Sequence, residues 1–455
     1  MKHAQAAKAF LKNGTRAQWH DQALWFVRQK RDVQKNEIPE WENLRERAST
    51  IKEHTLSQLD HYLTEFEKNA LQNGINIHWA LDAQEHNRIV LDILQREGVH
   101  KLVKSKSMLT EECQMNPFLE QHGIEVVESD LGERILQLDK QEPSHIVMPA
   151  IHMKRQEIAR LFEKELNTEP GNDDPQYLTA AARKNLRTHF LTAEAALTGV
   201  NFAIADTGGF VVCTNEGNAD MGVHHARIHI ASMGIEKIIP KQEHLAVFIR
   251  LLARSATGQP ITNYTSHFQK PDKGKEIHLI LVDNGRSEHL GKEKFWRALK
   301  CIRCGACMNT CPVYRRTGGH SYGYTIAGPI GSILTPGIDM KKYADLPFAS
   351  SLCGSCTDVC PVKIDIHEQL YQWRQKVYEH GHISWLKKTS LKITGRILAN
   401  PSIYQLTAKS ARFFLTYAPR FLVYNWMNAW GKSREMPTPP SQSFQEWYSA
   451  NHKKT

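Results

Sequence analysis

No run of 18 consecutive apolar residues occurs in this chain and its mean hydropathy is negative, so no membrane-spanning helix is expected. Met1-Lys2-His3-Ala4-Gln5 leads into a polar, basic stretch with no apolar segment of secretory length, which argues against a signal peptide. A disulfide framework is missing too: seven of the nine cysteines crowd into two short runs, and only Cys113 and Cys213 stand apart. No G-x-G-x-x-G opens a helix and no P-loop lysine motif occurs, so flavin, nicotinamide and nucleotide fingerprints are all lacking. Together these absences lead us to expect a cytoplasmic protein, soluble or peripheral on the inner face of a membrane.

Acidic residues are absent from one long stretch. Between Gly381 and Lys432 there are eight Lys or Arg and no Asp or Glu, interleaved with Trp385, Tyr404, Phe413, Phe414, Tyr417, Phe421, Tyr424, Trp426 and Trp430. The placement of this charge says more than the chain's net +10. Basic residues among aromatics suit an anionic membrane surface, a nucleic acid or a partner subunit; the plainer reading is a helical tail packing on its own protein.

What the chain does have is Cys301-Ile302-Arg303-Cys304-Gly305-Ala306-Cys307-Met308-Asn309-Thr310-Cys311-Pro312 and, further on, Cys353-Gly354-Ser355-Cys356-Thr357-Asp358-Val359-Cys360-Pro361. The first run has the bacterial ferredoxin spacing, in which the fourth cysteine ligates the other of two iron-sulfur clusters. Two-residue gaps let one tight loop deliver three thiolates to three corners of a cube. Each exported cysteine precedes a proline, Pro312 or Pro361, whose fixed φ and missing N–H break the loop conformation. Pairing the halves predicts one cluster on Cys301, Cys304, Cys307 and Cys360 and a second on Cys311, Cys353 and Cys356, both of [4Fe-4S] type. The second set is one ligand short, and counting back in register the vacant position is Ser350. Four possibilities are open: a serine oxygen, a three-iron cluster, a foreign ligand such as His320, or an open iron site. Zinc also favours C-x2-C pairs, but it takes four ligands as two separated pairs, not as three close cysteines, a fourth followed by proline, and a partial repeat.

Elsewhere the periodicity divides the chain. Residues 1–70 read as helices: Trp19, Ala23, Phe26 and Val27, then Leu44, Ala48, Ile51, Leu56, Leu59, Leu63 and Phe66, have helical spacing, with Pro39 between the two segments. Residues 71–290 alternate short apolar strands with helical stretches such as Glu85 to Glu97 and Lys154 to Leu166. The strand candidates are Ile75 to Ala80, Lys101 to Lys104, Gly123 to Val127, His145 to Met148, Val200 to Ala205, Phe210 to Thr214, Ile228 to Ser232, Lys237 to Ile239 and Ile277 to Val282. Such alternation predicts an α/β domain with a largely parallel sheet. Residues 291–375 hold the cysteines, and 376–455 form the basic aromatic tail.

Ligands of parallel sheets sit at the carboxyl ends of strands. That rule selects the loops Lys104 to Ser107, Asp130 to Glu133, Pro149 to His152, Asp206 to Gly209 and Asn215 to Asn218. Asp206 and Glu216 offer carboxylates beside glycines, which makes them candidate catalytic groups; the plain alternative is turn residues satisfying backbone amides. Lys104-Ser105-Lys106-Ser107 would suit an anion. His224, His225 and His229 are close in sequence, a weak metal-site signal.

Several of these segments carry a family resemblance. Lys104-Ser105-Lys106-Ser107-Met108-Leu109-Thr110-Glu111-Glu112-Cys113, Ser129-Asp130-Leu131-Gly132-Glu133-Arg134, Pro143-Ser144-His145-Ile146-Val147 and Phe202-Ala203-Ile204-Ala205-Asp206-Thr207-Gly208 resemble the lactate-utilisation (LUD) domain. Ala298-Leu299-Lys300-Cys301, Cys311-Pro312-Val313-Tyr314-Arg315, Gly318-Gly319-His320, Gly328-Pro329-Ile330-Gly331 and Ser350-Ser351-Leu352-Cys353 resemble the iron-sulfur half of the LutB/YkgF-type proteins. The resemblance runs from about Trp25 through the cysteines. It implies a LUD domain of the sugar-phosphate isomerase and CoA-transferase type of fold, joined to a ferredoxin-type two-cluster domain.

By function, the resemblance implies the electron-transfer subunit of a complex that oxidises L-lactate to pyruvate. The implied partners are a LutA-like cysteine-rich subunit and a LutC-like LUD subunit, with a quinone or other membrane-side acceptor. A second reading makes the LUD domain an isomerase or transferase, with the clusters as redox sensors. Nucleic acid is not expected as a partner, because two adjacent clusters exceed what a structural role requires.

Overall fold

In the computed structural model, which describes residues 2–425, 428, 430, 431 and 434–452, the N-terminal periodicity forms four helices, His3–Leu11, Gly14–Asn36, Trp41–Ser57 and Leu59–Gln72. The Asn13 side chain caps the second by accepting the Arg16 N–H at 3.1 Å, and Pro39 falls in the break before the third. Their apolar faces do not merely cover the sheet. Leu24, Trp41, Leu44 and Ala48 share one buried core with Ile302, Cys304, Val359 and Val362 of the cysteine region. Arg45 donates to the carbonyls of Asp358 (2.7 Å) and Cys360 (2.9 Å), and Lys300 Nζ reaches Ser49 and Glu53, each at 2.7 Å. Helices that read as scaffold thus clamp the cysteine loops.

The strands are β1 (Asn76–Ala80), β2 (Lys101–Lys104), β3 (Glu125–Glu128), β4 (Ala195–Gly199), β5 (Phe202–Ile204), β6 (Gly209–Thr214), β7 (Ile228–Gly234), β8 (Ile238–Ile239), β9 (Tyr264–Phe268) and β10 (Glu276–Val282). Six of them form an all-parallel sheet in the order β1-β10-β7-β4-β2-β3. The expected α/β fold with a parallel sheet is therefore present. A second, four-stranded sheet runs β8-β5-β6-β9, antiparallel except between β5 and β8.

Three strand assignments differ from expectation. β4, central in the parallel sheet, was not expected, because Ala195-Ala196-Leu197 lacks the β-branched residues that mark strands; full burial between β2 and β7 overrides that propensity. β9 is a half-exposed edge strand with weak alternation. His145 to Met148, expected as a strand, is an irregular loop. The His145 Nδ1 accepts the N–H groups of Val147 (3.0 Å) and Met148 (3.1 Å), which curls the backbone and removes the donors a ladder needs. Burial lowers the His145 pKa to about 3, so the ring stays neutral and its Nε2–H donates to Asn309 Oδ1 at 2.9 Å.

The chain divides into two units, Met1–Val377 and Tyr378–Thr455. In the second, Ser384 and Asn400 cap the helices Trp385–Ala399 and Pro401–Tyr417, and neither helix has a buried residue. Trp426 and Lys432 of the basic aromatic stretch lie outside the described residues. Among the described residues no helix is long and apolar enough to cross a membrane.

Candidate functional site

The two cysteine runs fold as copies of one turn. In the first, Arg303 (φ 61°) and Gly305 (φ 76°) take left-handed backbone on either side of Cys304; in the second, Leu352 (φ 56°) and Gly354 (φ 80°) do so on either side of Cys353. Left-handed φ is costly for Arg and Leu, and its recurrence at the same register marks a required loop shape. The Arg303 N–H donates to Cys301 Sγ at 3.3 Å. At the equivalent position the Leu352 N–H donates to Ser350 Oγ at 3.0 Å. Ser350 therefore stands where the first run has its leading cysteine, with the same local bond. Its carbonyl is tied down by Arg374 Nη2 at 2.7 Å.

The thiols gather in two neighbouring sets. Cys304 and Cys307 each interact electrostatically with Cys301 and Cys360, while Cys356 does so with Cys311 and Cys353. Cys307 also senses Cys356, so the sets adjoin. Backbone N–H groups of Tyr314 and Ile364 point at Cys311 Sγ (3.5 Å) and Cys360 Sγ (3.4 Å). Burial raises the thiol pKa of Cys304, Cys307, Cys311 and Cys360, and pushes Cys356 up to about 12. Thiolate-binding metal must therefore displace protons here. Among the described residues no three His, Cys, Asp or Glu side chains close on a single-ion point. Soft thiol donors held in two adjoining sets, with amide donors on the sulfurs, fit iron-sulfur clusters. Cys353 is exposed, whereas in the other set Cys304, Cys307 and Cys360 are buried and Cys301 is half-buried. His320 is engaged elsewhere: its Nε2–H donates to the Glu142 carbonyl at 2.8 Å and its ring meets His152 edge-on.

A cavity of about 270 Å³ opens past the carboxyl ends of β2, β4 and β7, where parallel sheets bind ligands. Of the five loops selected from sequence, Lys106 and Ser107, Asp130, and Asn215, Glu216 and Asn218 line it. The loop Asp206 to Gly209 does not. The Asp206 carboxylate instead accepts the Gln242 N–H at the start of helix Gln242–Thr257, at 3.2 and 3.4 Å. Pro149 to His152 is also elsewhere; His152 bonds Ser144 and Gln141.

Lys104 is not an anion donor. Its side chain is fully buried, with Nζ 2.6 Å from both Glu111 and Glu128. His224, His225 and His229 do not gather either: the first two are exposed, and buried His229 bonds Thr198 Oγ1 at 2.8 Å.

Glu216 sits at the cavity mouth, exposed by area yet crowded on its inner side. That partial burial, with Asp130 beside it, pushes its pKa up to about 7 despite the Leu131 N–H at 3.1 Å. The cavity is also lined by Glu236, Lys237, Arg286 and Arg303, which the sequence reading did not place there, and by Cys304, read as a cluster ligand. Arg286 bridges Glu236 (2.6 Å) and Glu112 (2.9 Å). The strand-end rule, applied to β7 as it was to β6, would have found Glu236 and Lys237. Arg303 was hidden inside the cysteine motif.

Comparison with known proteins agrees with both halves. Residues 63–289 match the LUD domain and residues 297–364 the 4Fe-4S dicluster domain. The chain is 42% identical over 433 residues to lactate utilization protein B of Bacillus cereus (strain AH820), and 43% identical over 432 residues to that of Bacillus cytotoxicus. Each alignment covers 92% of this chain and 90% of the relative. A crystal structure of a DUF162 family protein from Deinococcus radiodurans aligns with 49% of this chain and 98% of its own, at 13% identity and a TM-score of 0.27, too distant to carry an argument.

Proposed function

Because the chain belongs to the lactate utilization protein B family and joins a LUD domain to a 4Fe-4S dicluster domain, we propose that it is the electron-transfer subunit of a complex oxidising L-lactate to pyruvate. The observation that carries this reading is the pair of adjoining thiol sets, one largely buried and one reaching the surface at Cys353. In this reading Cys301, Cys304, Cys307 and Cys360 hold one cluster, and Cys311, Cys353 and Cys356 hold the other. When bound, each such cluster takes up and releases single electrons. The chain's own residues fix the loops and bury Cys304, Cys307 and Cys360 of the inner set. Arg31 and Arg45 also pin the backbone around Val359 and Cys360. Partners would be a LutA-like cysteine-rich subunit and a LutC-like LUD subunit. The test is anaerobic: addition of L-lactate to the purified complex should bleach the iron-sulfur absorbance, and no bleaching in preparations with full iron and sulfide would refute the reading.

For the second cluster we assign the fourth position to Ser350, on the strength of its hydrogen bond and register. Ser350→Ala should change the EPR spectrum of the reduced cluster, and Ser350→Cys should change it differently while keeping full iron. An unchanged spectrum in the alanine variant excludes serine ligation.

The tail reads best as a docking element for an anionic membrane surface. Its helices leave Trp385, Leu386, Phe413 and Tyr417 exposed among basic residues. Vesicles containing anionic lipid should float the full chain, and neutral vesicles should not; equal behaviour on both removes this role.

A further inference from the structure

The cavity described above meets the cysteine loop directly. Arg303 and Cys304 form part of its wall, while Gly199 and Gly234, at the ends of β4 and β7, form its floor. Glu112, Asp130, Glu216 and Glu236 face Lys106, Lys237, Arg286 and Arg303 around it, but the eight charges are not evenly paired. Arg286 is matched by Glu112 and Glu236, and Lys106 by Asp130 at 3.7 Å and Glu133 at 3.2 Å. Arg303 stands 3.6 Å from the same two carboxylates that serve Arg286, and its Nη1 is buried with no hydrogen-bond partner. Lys237 lines the cavity and, among the described residues, makes no ion pair within 4 Å; at longer range Glu236 and Cys301 attract it while Arg303 and Arg286 repel it. Glu112 and Glu236 thus bond Arg286 closely, which leaves Arg303 with an unbonded donor and Lys237 with no carboxylate in close contact.

We propose that this cavity is a binding site for a small monocarboxylate, of the 2-hydroxy or 2-oxo acid class, whose carboxylate is held between Lys237 and Arg303. An anion placed there removes the mutual repulsion of the two cations and satisfies the orphaned guanidinium N–H. Charge-assisted pairing of this kind is the strong sort. The volume, about 270 Å³, lies below the roughly 300–1,000 Å³ usual for drug-sized ligands, which favours a three- or four-carbon acid over a CoA thioester. Glu216, also in the lining, is placed as the group facing the acid's 2-oxygen; burial and Asp130 push its pKa up to about 7, so it can give or take a proton there.

This deepens the electron-transfer reading by putting the acid on this subunit beside the inner cysteine set, yet the binding claim can be tested without electron flow. The measurement is anaerobic titration calorimetry of the full, cluster-loaded chain with L-lactate and with pyruvate. Wild type should bind at least one of them. Lys237→Gln should weaken that binding about ten- to a hundredfold, the loss of a charged hydrogen bond, with iron content unchanged.

Wild type that binds neither acid overturns the site, as does Lys237→Gln that binds as well as wild type; in either case the cations serve only to offset cluster charge. A chain that fails here while its complex still bleaches with lactate leaves the electron-transfer reading intact. One that binds without any bleaching keeps the site and refutes that reading.

Discussion

Cys304→Ser is expected to abolish lactate-dependent bleaching while leaving the α/β domain folded. The two side chains are nearly the same size, and Cys304 is 7% exposed in a loop whose shape is set by Arg303 and Gly305, not by the sulfur. Packing therefore changes little. The donor chemistry changes a great deal, because a hydroxyl is a far harder, less acidic ligand than a thiol. Changes one shell further out already cost roughly 10–100-fold in metal affinity, so loss of a direct ligand should cut electron flow by more than about a hundredfold. Iron per chain should fall by about half if each set of thiols holds its own cluster. Circular dichroism should still report the folded α/β domain. Retained electron flow in this variant would sink the proposal that the inner set carries electrons.

The cysteine region was legible because its chemistry is local: ligand spacing, the proline after each exported cysteine and the register that singles out Ser350 can all be read from consecutive residues. The α/β alternation was legible for the same reason, apart from the edge strand β9, the loop at His145 to Met148, and β4, where alanines give no strand signal and only burial between β2 and β7 decides. What could not be read is long-range. Nothing in the sequence near Trp41 or Arg45 says that they pack under Val359 and Cys360. Nothing near Lys237 says that it faces Arg303, 66 residues away in sequence (303 minus 237). Lys104 and Asp206 misled for one reason: both sit at strand ends, where ligands bind, yet each is used up by a partner distant in sequence, Glu128 for one and the Gln242 N–H for the other.

Lys104→Met should be the most damaging single change to stability in the α/β domain. The Lys104 ammonium is fully buried, and burial alone would lower its pKa; Glu111 and Glu128 more than reverse that and hold it charged. Methionine fills the same space but removes the countercharge. Glu111 has 18% of its side chain exposed and can turn to water, whereas Glu128 has 4% and one of its oxygens already lacks a hydrogen-bond partner. Asn116 at 2.6 Å would be left as the main donor to it. Breaking a buried pair from one side costs about 3–5 kcal/mol, because a buried charge is left uncompensated, while replacing both sides is far milder. Urea unfolding should therefore show a loss of that size for Lys104→Met, with part of it recovered in Lys104→Met combined with Glu128→Gln. A loss below about 1 kcal/mol, the scale of an exposed pair, would mean that water reaches the site. Lys104 ends β2 two residues before Lys106, which lines the cavity, so the stability loss should bring a loss of pyruvate or lactate binding with it. Restoring the fold with the double variant should restore that binding, since neither Lys104 nor Glu128 lines the cavity itself.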